Sequence, residues 1–455
     1  MASTYLTRAT ADFGTATNRK KCTISFWVKR SLTASQQAVM GAETTPLGGS
    51  NEARIVLRGD DTLEFYDWQS AYKFRYITNR VFRDTSAWYH IVLAIDTTHP
   101  TGSQRIKMYI NGVEETSFGT STDPAQNLDT FLNSGAYIQI GRQSTGNSYL
   151  DGSLSHYHFI DGTAYDASYF GETDATTGEW KIKTSPSVTY GTNGFFILKD
   201  GNSVTDQSGN SNNFTVGGGL LTKTEDNPSN VFNILNPLYL SASKWNFIQG
   251  HLRANGWVSG ATQAWRSAYG TIGSSSGKYY FEVKCDNMYT SDSGNIAIGI
   301  VSDDQVIQLE DSGKFFNFTK GYAYAGNGLK LNNVVSIAGG DSYGNTFTIN
   351  DIIGCAFDLD NHKIYWSKNG VWQNSGDPTS GATGTGSAFD LTSNTTYLPV
   401  LANYYNDDRW SCNFGNGYFG ATAVASAGTN ASGNGIFEYD VPTGYTALST
   451  KGLNL

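Results

Sequence analysis

Short runs in which apolar and polar side chains alternate with a period of two recur along most of the chain, the signature of strands with one buried face. In Thr23-Ile24-Ser25-Phe26-Trp27-Val28-Lys29-Arg30, the residues Ile24, Phe26 and Val28 share such a face. Further strands are predicted over 54–57, 62–66, 72–78, 88–95, 105–110, 136–141 and 150–160. Asn111-Gly112 and Asn369-Gly370 each sit between two β-prone runs, the strongest local mark of a tight hairpin, because a type I′ turn needs positive φ at both central residues. Helical periodicity is nearly absent; the one short helix is expected at 167–170, with Asp166 as its N-cap. The pattern predicts an all-β protein built from antiparallel β-sandwiches.

The second half carries a more specific signal. G-C-A-F-D-L-D-N-H-K-I-Y-W-S-K-N-G at 354–370 resembles the central signature of SPRY domains. S-G-K-Y-Y-F-E-V at 276–283, I-A-I-G-I-V at 296–301, L-P-V-L-A at 398–402 and C-N-F-G at 412–415 are similar to that family's other strands, in the same order. The resemblance implies a bent β-sandwich that binds partners and has no catalytic function. The first half resembles the concanavalin A-like, laminin-G-like lectin fold, on T-I-S-F-W-V-K-R (23–30), W-Y-H-I-V-L-A-I-D (88–96), K-M-Y-I-N-G (107–112), Y-I-Q-I-G-R (137–142) and L-D-G-S-L-S-H-Y-H-F-I-D-G (150–162).

The segments at 159–180, 190–197, 206–214, 230–238 and 441–453 resemble a cassette of virion-associated proteins of tailed bacteriophages, especially marine ones, which pair a lectin-like with a SPRY domain. On these grounds a concanavalin A-like jelly roll is expected over 1–215, a linker over 216–240 around Gly217-Gly218-Gly219, a SPRY-like sandwich over 241–420, and a low-complexity C-terminal arm over 421–455 with a short edge strand at 436–439.

Composition narrows the function classes. Among 455 residues, 51 are Gly and only 9 Pro, and charged residues make up 16%, against about 25% in an average protein. A net charge of −9 supplies no basic footprint for nucleic acid. No apolar run approaches the ~18 residues of a membrane-spanning helix, so no membrane insertion is expected. The N-terminal stretch lacks the apolar core of a signal peptide, which fits synthesis in a host cytoplasm and display on a virion surface. Cys22, Cys285, Cys355 and Cys412 are widely spaced, each within a predicted strand, and are expected to be buried free thiols.

Candidate chemistry is sparse. Gly273-Ser274-Ser275-Ser276-Gly277 fits the nucleophile-elbow pattern but is followed by a strand where a helix is needed. Gly415-Asn416-Gly417-Tyr418-Phe419-Gly420 fits a dinucleotide fingerprint but opens no helix. His156 and His158 are two apart on a strand and read as sheet-face histidines without a third metal ligand. Asp60, Asp61, Asp96, Asp151 and Asp161 are oxygen donors of the kind calcium takes in lectin-like loops, yet form no multi-ligand loop, so no cofactor is assigned. The paired-carboxylate strand of sugar-cleaving relatives is missing: Glu64-Phe65-Tyr66-Asp67 and Glu172-Thr173-Asp174 have the wrong spacing.

Binding signals are aromatic. Tyr66, Trp68 and Tyr72 fall around a predicted hairpin tip, and Tyr404, Tyr405, Asn406, Asp407 and Trp410 in the loop before the last SPRY-like strand. Flat rings beside fixed hydrogen-bonding groups suit sugar or protein recognition. The expected function is therefore non-enzymatic: a phage virion protein (fibre, spike or capsid decoration) whose loops bind host-surface glycan or protein. A purely structural decoration or assembly protein gripping other virion proteins is the alternative, and a glycan depolymerase the second. A homo-oligomer would have to assemble through domain faces, since no coiled-coil heptad is present.

Overall fold

The computed structural model describes residues 4–45, 50–143, 148–199, 203–238, 245–256, 264–289, 295–306 and 313–454. Residues 239–244, which hold the end of the expected linker and the start of the second expected sandwich, lie outside the described residues. The chain divides into two compact units, Met1–Lys223 and Thr224–Leu455. Both are almost entirely β, with antiparallel sheets and short 3-10 turns; among the described residues Asp303–Val306 is the one α-helical turn.

In the first unit an eight-stranded sheet runs Phe118–Thr122, Tyr72–Val81, Thr62–Gln69, Asn51–Leu57, Gln37–Glu43, Tyr137–Ile140, Tyr5–Arg8 and Thr215–Gly218. A six-stranded sheet runs Phe195–Ile197, Gly152–Asp161, Lys21–Arg30, Tyr89–Asp96, Ile106–Ile110 and Val113–Glu114. Their inner faces bury Ile24, Phe26, Val28, Ile55, Phe65, Phe74, Ile91, Leu93 and Tyr157. Asn111 (φ 48°) and Gly112 (φ 81°) adopt the left-handed conformation expected of the hairpin turn. The 3-10 helix Ala167–Tyr169 is capped as expected, Asp166 Oδ1 accepting the Ser168 amide at 2.8 Å.

The strand Gln37–Glu43 escapes the sequence pattern because all seven residues are buried, leaving no polar phase to alternate with. Gly217 and Gly218, expected in a linker, belong instead to the edge strand Thr215–Gly218, paired with Tyr5–Arg8. The segment after Asp161 lies over the outer face of the six-stranded sheet. Phe170, Tyr165, Trp180, Val188 and Tyr190 pack there against Val92 and Ile160. Trp180 abuts Gly112, where any Cβ would collide with the indole ring.

In the second unit one sheet runs Asn246–Ile248, Arg253–Asn255, Arg409–Asn413, Lys278–Asn287, Ile352–Asp358, Lys363–Lys368 and Val371–Trp372, with Phe389–Asp390 on Lys363–Lys368. A six-stranded sheet runs Arg266–Tyr269, Tyr397–Asn403, Ile296–Ser302, Gly321–Ala325, Leu329–Asn332 and Asp341–Ser342. Between them lie Phe281, Val283, Ile298, Tyr324, Phe357, Trp366, Leu401 and Trp410. Tyr322 and Tyr324 are core residues of this layer. All four cysteines are free and buried, as expected.

The C-terminal segment differs from the loosely attached arm expected of its composition. Phe437, Val441, Tyr445 and Ala447 are buried with Phe232, Tyr280, Ala356 and Tyr365 over the outer face of the first of these sheets. The strands here are Thr422–Ala423, paired with Tyr418–Phe419, and Thr446–Ala447, pairing in parallel with Tyr279 and Tyr280; of 436–439 Ile436 alone makes a bridge, to Asn416. The anchor is Glu282, fully buried, whose carboxylate accepts the amides of Glu438 and Tyr439 (both 2.9 Å), the Tyr280 hydroxyl (3.1 Å) and Asn413 Nδ2 (3.2 Å).

Burial raises the pKa of Glu282 from 4.5 to about 7, against the lowering effect of its donors. The folded chain therefore keeps a proton that the unfolded chain releases, and this group's contribution is largest below pH 4.5 and shrinks as pH rises toward 7. At about 1.4 kcal/mol per unit the expected loss over that window is about 3 kcal/mol. Denaturation of Glu282→Gln beside the wild type from pH 4.5 to 7 checks this: the variant should lack that part of the slope, and parallel profiles would refute it.

Candidate functional site

The first aromatic cluster sits on the outer face of the eight-stranded sheet, because Leu63 and Phe65 point inward and the alternate residues Glu64, Tyr66 and Trp68 point away from them. Trp68 lies opposite Tyr72 and Tyr66 opposite Arg75 in the hairpin register. The three rings are brought together as predicted: Tyr72 meets Trp68 edge-on at 4.8 Å and Tyr66 at 5.5 Å. The cluster is closed on itself. Tyr66 is only 8% exposed and its hydroxyl donates to Glu52 Oε1 at 2.7 Å. The Arg75 guanidinium covers the Tyr72 ring at 4.7 Å. Around it Arg54 is bonded to Glu43 and Glu52, and Glu64 to Arg58 and Arg75.

The second cluster is built on the turn between Tyr397–Asn403 and Arg409–Asn413. Tyr404, Tyr405 and Asn406 are half-buried and Asp407 is exposed. Trp410 does not belong to it. That residue is 0% exposed in the core between the sheets, one strand position beyond the loop, and its expected ligand-binding role is corrected to a packing role. The alternation Trp410, Cys412, Phe414 was the available signal, since all three share the buried face.

Two residues not predicted as site residues hold the loop from behind. Asp408, fully buried, accepts the Tyr289 amide at Oδ1 (3.0 Å) and the Tyr405 amide at Oδ2 (3.3 Å), while its carbonyl accepts the Gly256 amide (2.9 Å). Arg266, also buried, donates to Asn406 Oδ1 at 2.8 Å and to the Gly256 carbonyl. Asn403 Nδ2 and Asn287 Nδ2 donate to the carbonyls of Tyr405 (2.9 Å) and Asp407 (2.7 Å). Burial pushes the Asp408 carboxyl up to about 6 against the pull of its amide donors. Tyr289, two residues past the end of the neighbouring strand Lys278–Asn287, stacks on Tyr405 at 4.4 Å, and Tyr405 meets Tyr404 edge-on at 5.2 Å. Nothing in the local sequence of Tyr289 marks it for this role; only strand pairing brings it there.

The remaining candidates serve the fold. Asp60 accepts the Thr62 amide and hydroxyl; Asp61 binds Arg30 and Arg83; Asp96 pairs with Lys21 at 2.9 Å. Asp161 accepts the amides of Thr17 and Asn193 and the side chain of Asn133, and Asp151 is partly buried, which raises its pKa. Asp67 accepts the Phe131 amide at 2.7 Å. His158 stacks on Phe196 at 3.9 Å and bonds the Tyr190 hydroxyl, and His156 occupies a bulge with φ 48°. His90 sits between Ser25 and the Trp180 indole N–H, with its pKa lowered by burial, then by His156, to about 3. Among the described residues no group of three His, Cys, Asp or Glu is placed to hold a metal, and no helix is long and apolar enough to cross a membrane.

Residues 2–168 match the model of the Concanavalin A-like lectin/glucanases superfamily, and residues 278–398 that of the SPRY domain. A concanavalin A-like domain precedes a SPRY domain. Over 106 residues the chain is 35% identical to the ATP-dependent RNA helicase DDX1 of Xenopus laevis and, over the same length, 35% identical to the Ran-binding proteins 9/10 homolog of Drosophila melanogaster. Each match covers 23% of this chain but only 12% and 10% of those proteins. Among solved structures, a human SPRY domain is similar at 17% identity (35% of this chain, 90% of that one, TM-score 0.26). The SAP-like pentraxin of Limulus polyphemus is similar at 16% identity (36% and 72%, TM-score 0.26). The SPRY match begins at the strand that carries Glu282 and takes in Tyr289, whereas the 404–408 loop lies just beyond its end.

Proposed function

We propose that the chain is a non-enzymatic surface protein of a tailed-phage virion, a fibre, spike or capsid decoration, that binds glycan or protein on the host surface through its two sandwich domains. The observation that carries the binding reading is the 404–408 loop, fixed from behind by buried Asp408 and Arg266 and offering tyrosines at the surface. A loop ordered before its ligand arrives loses little entropy on binding. The pairing of a lectin-type with a SPRY domain supports the same reading. The non-enzymatic part is supported by where the carboxylates are spent: Asp61, Asp67, Asp161, Glu282 and Asp408 are engaged by backbone amides or by side-chain donors. The virion assignment rests on the cassette resemblance at 159–180, 190–197, 206–214, 230–238 and 441–453. Many weak copies on one particle would hold a cell by avidity.

Incubating the purified chain with host cells, with their envelope polysaccharides and with virion extracts tests this. Retention on cells or polysaccharide, with polysaccharide chain length unchanged, is the expected result. Retention by capsid or tail proteins alone would replace it with the decoration or assembly reading. Shortening of the polysaccharide would overturn the non-enzymatic reading.

A further inference from the structure

Tyr289 combines three properties found together in none of the three cluster residues of the first unit. It is 41% exposed, although one ring face is covered by Tyr405 at 4.4 Å with only 20° between the planes. Its exposure therefore lies on the opposite face and the edges. Tyr72 is equally exposed, but its ring carries Arg75. The backbone of Tyr289 is fixed, because its amide donates to the fully buried Asp408, which also takes the Tyr405 amide; one carboxylate thus sets the spacing of the two stacked residues.

The surroundings specify the chemistry. Arg409 is paired across the sheet from Asn287, two residues before Tyr289, and the Asp407 carbonyl accepts the Asn287 side chain. Asp407 and Arg409 are both exposed and opposite in charge, so among the described residues of this turn they offer a balanced pair of hydrogen-bond acceptors and donors. A flat open ring flanked by balanced polar groups suits a ligand with one apolar face and equatorial hydroxyls. A peptide anchor would instead need a desolvated pocket for its side chain.

We propose that Tyr289, stacked on Tyr405, is the contact surface for one pyranose ring of a neutral saccharide, with Asp407 and Arg409 bonding its hydroxyls. This rests on the binding reading above and narrows it to one ligand class at one place.

The test is calorimetric titration of the full chain with neutral oligosaccharides of glucose, galactose, mannose and N-acetylglucosamine. At least one should bind; Tyr289→Ala should weaken it ~10-fold with an unchanged melting temperature, and Tyr289→Trp should restore it. Tyr169→Ala, removing an equally exposed tyrosine of the first unit, should leave it unaltered. Saccharide binding that survives Tyr289→Ala, or an intact chain that binds none of the sugars, overturns the proposal. In either case adsorption to host cells, measured in parallel, tells whether the broader binding reading stands without it.

Discussion

Trp410→Ala is expected to destabilise the second unit by about 3–5 kcal/mol and to act on ligand binding only through that loss. The indole is completely buried between the two sheets, on a strand paired on one side with Lys278–Asn287 and on the other with Arg253–Asn255. Deleting it leaves a cavity that two rigid sheets cannot close, so the transfer and cavity losses add. Its ring N–H has no hydrogen-bond partner among the described residues. Trp410→Phe therefore removes an unpaired buried donor along with some volume and should cost much less than the alanine change. Denaturant unfolding of both variants checks the order. A Trp410→Ala chain of wild-type stability that had lost binding would restore this residue to the site.

Asp61→Ala is expected to cost the first unit about 3–5 kcal/mol, because it strands a charge. The Arg30 guanidinium, with no exposed side-chain surface, donates to Asp61 Oδ1 at 3.0 Å. The same carboxylate accepts the Ala34 amide at 2.7 Å and Arg83 Nε at 3.0 Å. Burial alone would raise the Asp61 pKa, but the Ala34 amide and the two arginines outweigh it and hold it below the ordinary value of 3.8. Its contribution is thus present above pH 3.8 and lost as pH falls through the lower folded value, the opposite sense to Glu282. Unfolding of Asp61→Ala at neutral pH measures the effect, and a loss under ~1 kcal/mol would mean Arg30 finds other partners.

These two residues show where reading the chain stops. Strands and turns were legible because each is written within a few residues: alternation in Lys21–Arg30, Asn-Gly at 111–112 and 369–370, an aspartate cap at 166. The aromatic candidates were legible as residue types, and Tyr404 and Tyr405 do sit on a surface loop. Their partners were not. Asp61 reads alike as a turn aspartate or a cation ligand until Arg30, at the end of the strand Lys21–Arg30, is placed beside it. Tyr289 and Tyr405 are far apart in the chain, and their stacking follows from the register of Lys278–Asn287 with Arg409–Asn413.

The layers divide in the same way. By itself the sequence determined an antiparallel all-β chain, since a period of two and turn chemistry are local properties that any fold must respect, and its resemblance to two families implied two sandwiches. Tertiary structure decided which outer faces are covered, by Phe170 and Trp180 in one unit and Phe437 and Tyr445 in the other, and which tyrosines stack, as Tyr289 does on Tyr405. Burial of that kind is a property of pairs distant along the chain, set by which surfaces exclude water together, and a low-complexity stretch gives no sign of it until its few aromatic residues find the sheet they cover.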